Sequence, residues 1–163
     1  MSSEGSPVAR SRGSIDAAGL RVAVLAARFN ADITDSLVRG SIEALREHGA
    51  AEADIAVVRV PGAWELPQAA AHAVEAKRFD AIVTLGCVIR GETPHFDFVC
   101  QEATLGLGAV ARASDIPVAF GVLTTDDAAQ ARARAGEGRD NKGYEAAMAV
   151  LEMVAVFRDL EAD

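Results

Sequence analysis

Four short apolar runs alternate along this chain with segments of helical periodicity, and that alternation restricts the fold more than any other feature. Val22–Ala27 (VAVLAA) is a continuous apolar run of the kind buried parallel strands require. Ile33, Leu37, Ser41 and Ala44, with Val38, Ile42 and Leu45, then repeat at helical spacing until Gly49, a good terminator. A second strand, Ile55–Val60, stops at Pro61-Gly62, and a helix fits from Glu65 to Ala76. The third strand is Ala81–Val88 and the third helix His95–Ala113. Pro117 opens a fourth strand, Val118–Leu123, which breaks at Thr124–Asp127. A short helix through Arg134, a polar loop at Gly136–Asn141 and a last helix with Ala147, Val150, Leu151, Val154 and Phe157 on one stripe complete the chain. Successive βα units joined by right-handed crossovers predict a doubly wound, parallel, four-stranded sheet with helices on both faces, a three-layer α/β/α fold.

Length and composition agree with that reading. A chain of 163 residues with no internal repeat or linker forms one domain, expected over residues 20–163 behind a loose polar arm at residues 1–19. Half the residues are apolar but only 5% are aromatic, as close helix–sheet packing favours. The net charge of −8 argues against nucleic acid as a partner, so any anionic ligand needs a local cation. Two cysteines, Cys87 and Cys100, both at apolar positions, suggest structural thiols in a reducing compartment. No apolar run is long enough to span a membrane, and the first nineteen residues lack the apolar core of a signal peptide. A cytoplasmic protein is expected.

Chemistry concentrates in Gly86–Cys100 (GCVIRGETPHFDFVC). A strand's carboxyl end, a glycine turn, the Thr93 hydroxyl and the His95 imidazole meet there at a helix start. Ligands of open α/β sheets bind at such ends, and helix N-termini attract anions. The spacing Gly86-x4-Gly91-Glu92-Thr93 is close to a phosphate loop, but Glu92 replaces the lysine and reverses the charge, which excludes nucleotide triphosphates. A single-phosphate cradle and an ordinary βα turn both remain open from spacing alone. His95 is placed for general acid–base work or for capping; a metal is not indicated, because no second His or Cys has ligand spacing. Phe29 at the first strand end reads as packing or as a ligand platform, and Trp64 as a residue set against a neighbouring subunit. Glu65 suits a helix start on dipole grounds alone. Arg134 and Lys142 flank the last polar loop, either as solvated charge or as the cation a phosphate would need. The four strand ends carry Phe29-Asn30, Gly62–Glu65, Arg90–His95 and Thr124–Asp127, and a parallel sheet brings them all to one edge.

Six motifs follow one another in an order that resembles the 6,7-dimethyl-8-ribityllumazine synthase family: RFN at 28–30, PGAWELP at 61–67, GCVIRGETPHFDFVC at 86–100, FGVLTT at 120–125, RAG at 134–136 and NKG at 141–143. The resemblance implies a flavodoxin-like fold. It also implies the penultimate step of riboflavin biosynthesis, in which 5-amino-6-(D-ribitylamino)uracil condenses with 3,4-dihydroxy-2-butanone 4-phosphate and releases phosphate and water, with no cofactor. Phe29 would stack on the pyrimidine, and Ala63, Trp64 and Glu65 would border the ribityl chain. Backbone groups of Cys87, Val88 and Ile89 would bond the uracil edge. Glu92 and Thr93 N–H groups, with the Thr93 hydroxyl, would hold phosphate, and His95 would carry protons. Phe120 and Arg134 would reach the same pocket from an adjacent subunit of a homopentamer, with Lys142 nearby.

Two positions depart from the family pattern. Glu92 replaces a small or neutral residue, so its side chain must turn outward, and Gly136–Asp140 lacks the usual Ala-Gly step. That loop bears on whether twelve pentamers close into a shell. Two alternatives stand beside the synthase: an archaeal-type riboflavin synthase, and a catalytically weak pentameric scaffold that binds ligand or forms a shell.

Overall fold

The computed structural model describes residues 15–162. The strands are β1 (Val22–Ala27), β2 (Ile55–Val60), β3 (Ala81–Ile89) and β4 (Val118–Thr125). The helices are α1 (Ala31–Glu47), α2 (Leu66–Glu75), α3 (His95–Ala113), α4 (Ala128–Arg134) and α5 (Lys142–Glu161). Single 3-10 turns at Glu52–Asp54 and Ala63–Glu65 precede β2 and α2. All strand pairs are parallel, in the order β2-β1-β3-β4.

Period-two alternation divides the core into two apolar layers. Val22, Val24 and Ala26 of β1 face Leu37 and Leu45 of α1 and Val150 and Leu151 of α5. Ala23, Leu25 and Ala27 face Leu66 and Ala70 of α2 and Ala103 and Leu107 of α3. The central strand β1 is buried along its whole length, whereas the edge strand β2 leaves Val57 and Val58 exposed. Each fully buried Leu contributes on the order of 1.5–3 kcal/mol, so the two layers supply most of the driving force for folding. Among the described residues no helix is long and apolar enough to cross a membrane.

A close approach of α5 to α1 accounts for the Asn and Gly of the Asn-Lys-Gly motif. Asn141 caps α5 by accepting from the N–H groups of Gly143 (2.8 Å) and Tyr144 (3.2 Å), and its amide donates to the carbonyls of Ser36 (3.2 Å) and Gly136 (2.7 Å). One side chain thus ties the start of α5 to α1 and to the preceding loop. Gly143 faces α1 so closely that an added Cβ would lie 2.6 Å from the Leu37 carbonyl carbon. The Tyr144 hydroxyl extends the crossing by donating to Glu47 at 2.7 Å.

Several element ends differ from expectation. β3 continues to Ile89 and β4 to Thr125, because the Thr125 carbonyl still accepts from Arg90 N–H at 2.8 Å. α2 begins at Leu66, since Ala63–Glu65 winds as a 3-10 turn ahead of Pro67 in the first helical turn. Most of the expected polar arm, residues 1–14, lies outside the described residues. Two of its last five residues are docked: Ala17 is fully buried and donates its N–H to the His48 carbonyl (2.8 Å), and Ile15 packs on the core, while Asp16, Ala18 and Gly19 are exposed. Phe157, expected on the buried stripe of α5, is half-buried at its last turn.

Candidate active site

The ladder between β1 and β3 ends at Ala26–Leu85, yet β3 stays paired with β4 as far as Ile89–Thr125. β1 and β3 therefore part at their carboxyl ends. The crossovers run in opposite directions from this point, so the gap is the topological switch point where such sheets bind ligands. A cavity of about 610 Å³ fills it.

Nine of the expected residues line that cavity: Phe29 after β1, Ala63, Trp64 and Glu65 after β2, Cys87, Val88 and Ile89 at the end of β3, and Thr93 and His95 beyond it. Phe29 is 71% exposed and Trp64 55%, so both aromatic faces are free for a ligand. Pairing alternates along β3. Ile82 and Arg90 donate their N–H groups to Pro117 and Thr125 on the β4 side, so even-numbered positions turn their main chain that way. Cys87 and Ile89 turn theirs to the gap instead, while the main chain of Val88 belongs to the β4 ladder. The Glu65 carboxylate accepts from Gly62 N–H at 2.9 Å, which secures one oxygen in the turn of a residue that lines the cavity. Thr93 Oγ1 accepts from His95 N–H at 3.4 Å, a local bond that shapes the turn at the start of α3.

Glu92, expected beside the phosphate, is exposed and is not among the residues that line the cavity. The Cys87 thiol is buried, and burial followed by the negative charge of Asp32 pushes its pKa up to about 11. Burial raises that of Cys100 as well. Neither is a thiolate near neutral pH, as structural thiols require. The guanidinium of Arg90 stacks 4.3 Å from the Phe96 ring centroid and pairs with Asp97 (3.4 Å) and Asp126 (3.2 Å). The arginine of the β3–α3 turn is thus already engaged in holding α3 and the β4–α4 loop.

Phe120, Arg134 and Lys142 are elsewhere. They line a second hollow of about 400 Å³ against the free edge of β4, where Phe120 is 48% exposed. Lys142 Nζ is bound to both oxygens of Glu145, at 2.9 and 2.7 Å. Arg134 donates to the Gln130 carbonyl at 3.0 Å and has no carboxylate partner among the described residues. Only three of the four strand ends therefore meet in the main cavity. Thr124, at the end of β4, lines the second hollow, because strand order sets β4 on the far side of β3. Pro61, Gly62, Gly91, Phe96 and Val99 also line the cavity, the first three as turn residues at the strand ends, and the sequence alone assigns no role in the site to any of them. Helical spacing from His95 to Val99 (i, i+4), and from Val99 back to Phe96 (i, i+3), is the available signal for the last two.

Residues 19–158 match the family described as 6,7-dimethyl-8-ribityllumazine synthase. A 6,7-dimethyl-8-ribityllumazine synthase of Chlorobium phaeobacteroides is 49% identical over 146 residues, which are 90% of this chain and 94% of that protein. The chain belongs to the 6,7-dimethyl-8-ribityllumazine synthase family. It is a transferase of riboflavin biosynthesis acting on small molecules, and the condensation inferred from its motifs is the activity of lumazine synthases. The flavodoxin-like, doubly wound architecture expected from the apolar runs is the one observed.

Proposed function

We propose that the switch-point cavity is one half of a lumazine synthase active site, and that an adjacent copy of the chain supplies the other half. The observation that carries this reading is the division of the functional residues between two separate hollows. One holds an aromatic platform, an imidazole and the β3–α3 turn but, among the described residues, no lysine or arginine; the other holds an exposed aromatic and an Arg134 with no carboxylate partner among those residues. Each is chemically what the other lacks. A head-to-tail ring brings such unlike surfaces together at every interface, here as a homopentamer.

In the completed site the pyrimidine stacks on Phe29, with Phe120 of the neighbour against it. Its polar edge meets the main chain of Cys87 and Ile89, the two end residues of β3 that turn to the gap. The ribityl chain runs past Ala63 and Trp64, and the Glu65 carboxylate takes its hydroxyls. The N–H groups of Glu92 and Thr93, the Thr93 hydroxyl and the neighbour's Arg134 hold the phosphate, with Lys142 beside them. A bidentate guanidinium suits that dianion better than a lysine already paired with Glu145.

The substrate amine then attacks the ketone, water and phosphate leave, and the ring closes. Imine formation and ring closure move protons between nitrogen and oxygen, and the elimination of phosphate takes a proton from the adjacent carbon. His95, on the first residue of α3 at the cavity wall, takes and returns them. Free thiols at Cys87 and Cys100 accord with a reducing compartment, the cytoplasm. Twelve pentamers closing into a shell is the larger assembly this reading allows, and light scattering separates it from a free ring.

Following lumazine absorbance after mixing the two substrates tests the activity directly. His95→Ala should lower kcat by about 10²-fold, the low end for general acid–base catalysis, because positioning two reactive molecules supplies much of the acceleration. A wild-type kcat in that variant removes His95 from the chemistry. Absence of product from the wild-type protein supports the scaffold reading instead.

A further inference from the structure

Asn30 separates β1 from α1 at the switch point, in the left-handed region with φ 59° and ψ 51°. Its carbonyl starts α1 by accepting from Ile33 and Thr34, both at 3.0 Å. Its side chain does not cap the helix. The amide Nδ2 reaches across the gap and donates to the Cys87 carbonyl on β3 at 2.8 Å. The two residues before it are fastened on the opposite side, Arg28 N–H to the Val60 carbonyl (2.8 Å) and Phe29 N–H to the Pro61 carbonyl (3.1 Å). The segment 28–30 therefore bridges from β2 to β3 over the mouth of the cavity, where the β1·β3 ladder has already ended.

We propose that Asn30 is a positioning residue for the pyrimidine half of the site, replacing the lost ladder bond with a side-chain tether. This inference rests on the active-site reading above. The tether has two consequences. It fixes the chain reversal immediately after Phe29, so the exposed ring keeps one direction over the cavity instead of swinging with a loose loop. It also holds the end of β3 and occupies the Cys87 carbonyl, which leaves Cys87 N–H and the main chain of Ile89 as the groups presented to a ligand edge. Asparagine meets both demands at once. It tolerates φ > 0 more readily than other side chains, and its amide is a donor. Glycine would keep the backbone without the tether. Aspartate would keep the backbone tolerance but set a second acceptor against the Cys87 carbonyl.

The test compares Asn30→Gly and Asn30→Asp with wild type. Both variants should raise the KM for ribitylaminouracil about tenfold, the equivalent of one lost hydrogen bond near the upper end of its usual worth. The KM for the butanone phosphate should stay within about twofold and kcat within about threefold, since the β4 ladder still holds β3 as far as Ile89, ahead of the phosphate turn and His95. Trp64, the only tryptophan, lines the same cavity, so quenching of its fluorescence by ribitylaminouracil alone reads the affinity without turnover. Unchanged pyrimidine affinity in Asn30→Gly overturns the proposal. Equal rises in both KM values overturn it too, as does an Asn30→Gly chain that no longer folds, because each marks a general structural role. Failure of the active-site reading looks different: wild type itself then forms no lumazine.

Discussion

Gly143→Ala is expected to be the most damaging methyl that can be added to this fold. The new Cβ would meet the Leu37 carbonyl group, backbone against backbone, with no side chain free to rotate away. Relief requires α1 and α5 to separate. That loosens the packing of Leu37 and Leu45 against Val150 and Leu151, lengthens the Tyr144–Glu47 bond and disturbs the Asn141 cap. Overpacking ordinarily costs about 1–3 kcal/mol, and a backbone clash belongs at the upper end. A loss of about 3 kcal/mol lowers the melting temperature by roughly 6–12 °C in a domain of this size. Circular dichroism melts at fixed protomer concentration measure it, since assembly adds to apparent stability. Gly136→Ala is the control: nothing lies within 4 Å of its added methyl, so its melting temperature should match wild type. Equal melting of the two variants and wild type would show that the helices are not in contact at Gly143.

That constraint was invisible in the sequence, where Gly143 is one more residue of a polar motif. Its meaning depends on which helix crosses which, and no local pattern encodes a pairing between segments a hundred residues apart. The strands were legible for the opposite reason. A parallel strand covered on both faces is a short run of aliphatic residues between turn formers, and VAVLAA and IAVVRV end at Ala27 and Val60 as read. Boundaries slipped where polar β-branched residues continued a ladder, as at Thr124-Thr125. Residues 15–19 read as tail because Ala17 carries so little apolar surface, yet it is buried in the core and bonded to His48 and Leu20.

The candidate site divides in the same way. Residues that follow β1, β2 and β3 converge because all strands point one way, and chain order alone identifies them. Phe120 does not join them, since strand order β2-β1-β3-β4 is a global property. Asn30 was read only as the end of a strand. Its left-handed backbone and its reach to Cys87 follow from where β1 and β3 part, which no single segment specifies.

The largest functional effect is expected from mixing two disabled chains. Arg134→Ala alone should raise the KM for the butanone phosphate about tenfold or more, because a charge-assisted hydrogen bond is worth ~1.5–3 kcal/mol and the surrounding protein is acidic. His95→Ala alone should lower kcat. If one chain contained a whole site, a mixture of the two variants could do no better than the average of its parts. The separation of the two hollows leads to a different expectation. In a ring each site takes its imidazole from one chain and its guanidinium from the next. Random assembly from equal amounts then gives about a quarter of the sites both groups intact, as half times half of the two contributions. Refolding the variants together should therefore restore about a quarter of wild-type turnover at low butanone phosphate, far above either variant alone. Recovery should also require co-assembly, so mixing preformed oligomers without unfolding should leave the rate low until subunits exchange. A mixture that never exceeds the mean of its components would place Arg134 and His95 in the same chain's site and overturn the shared-site arrangement.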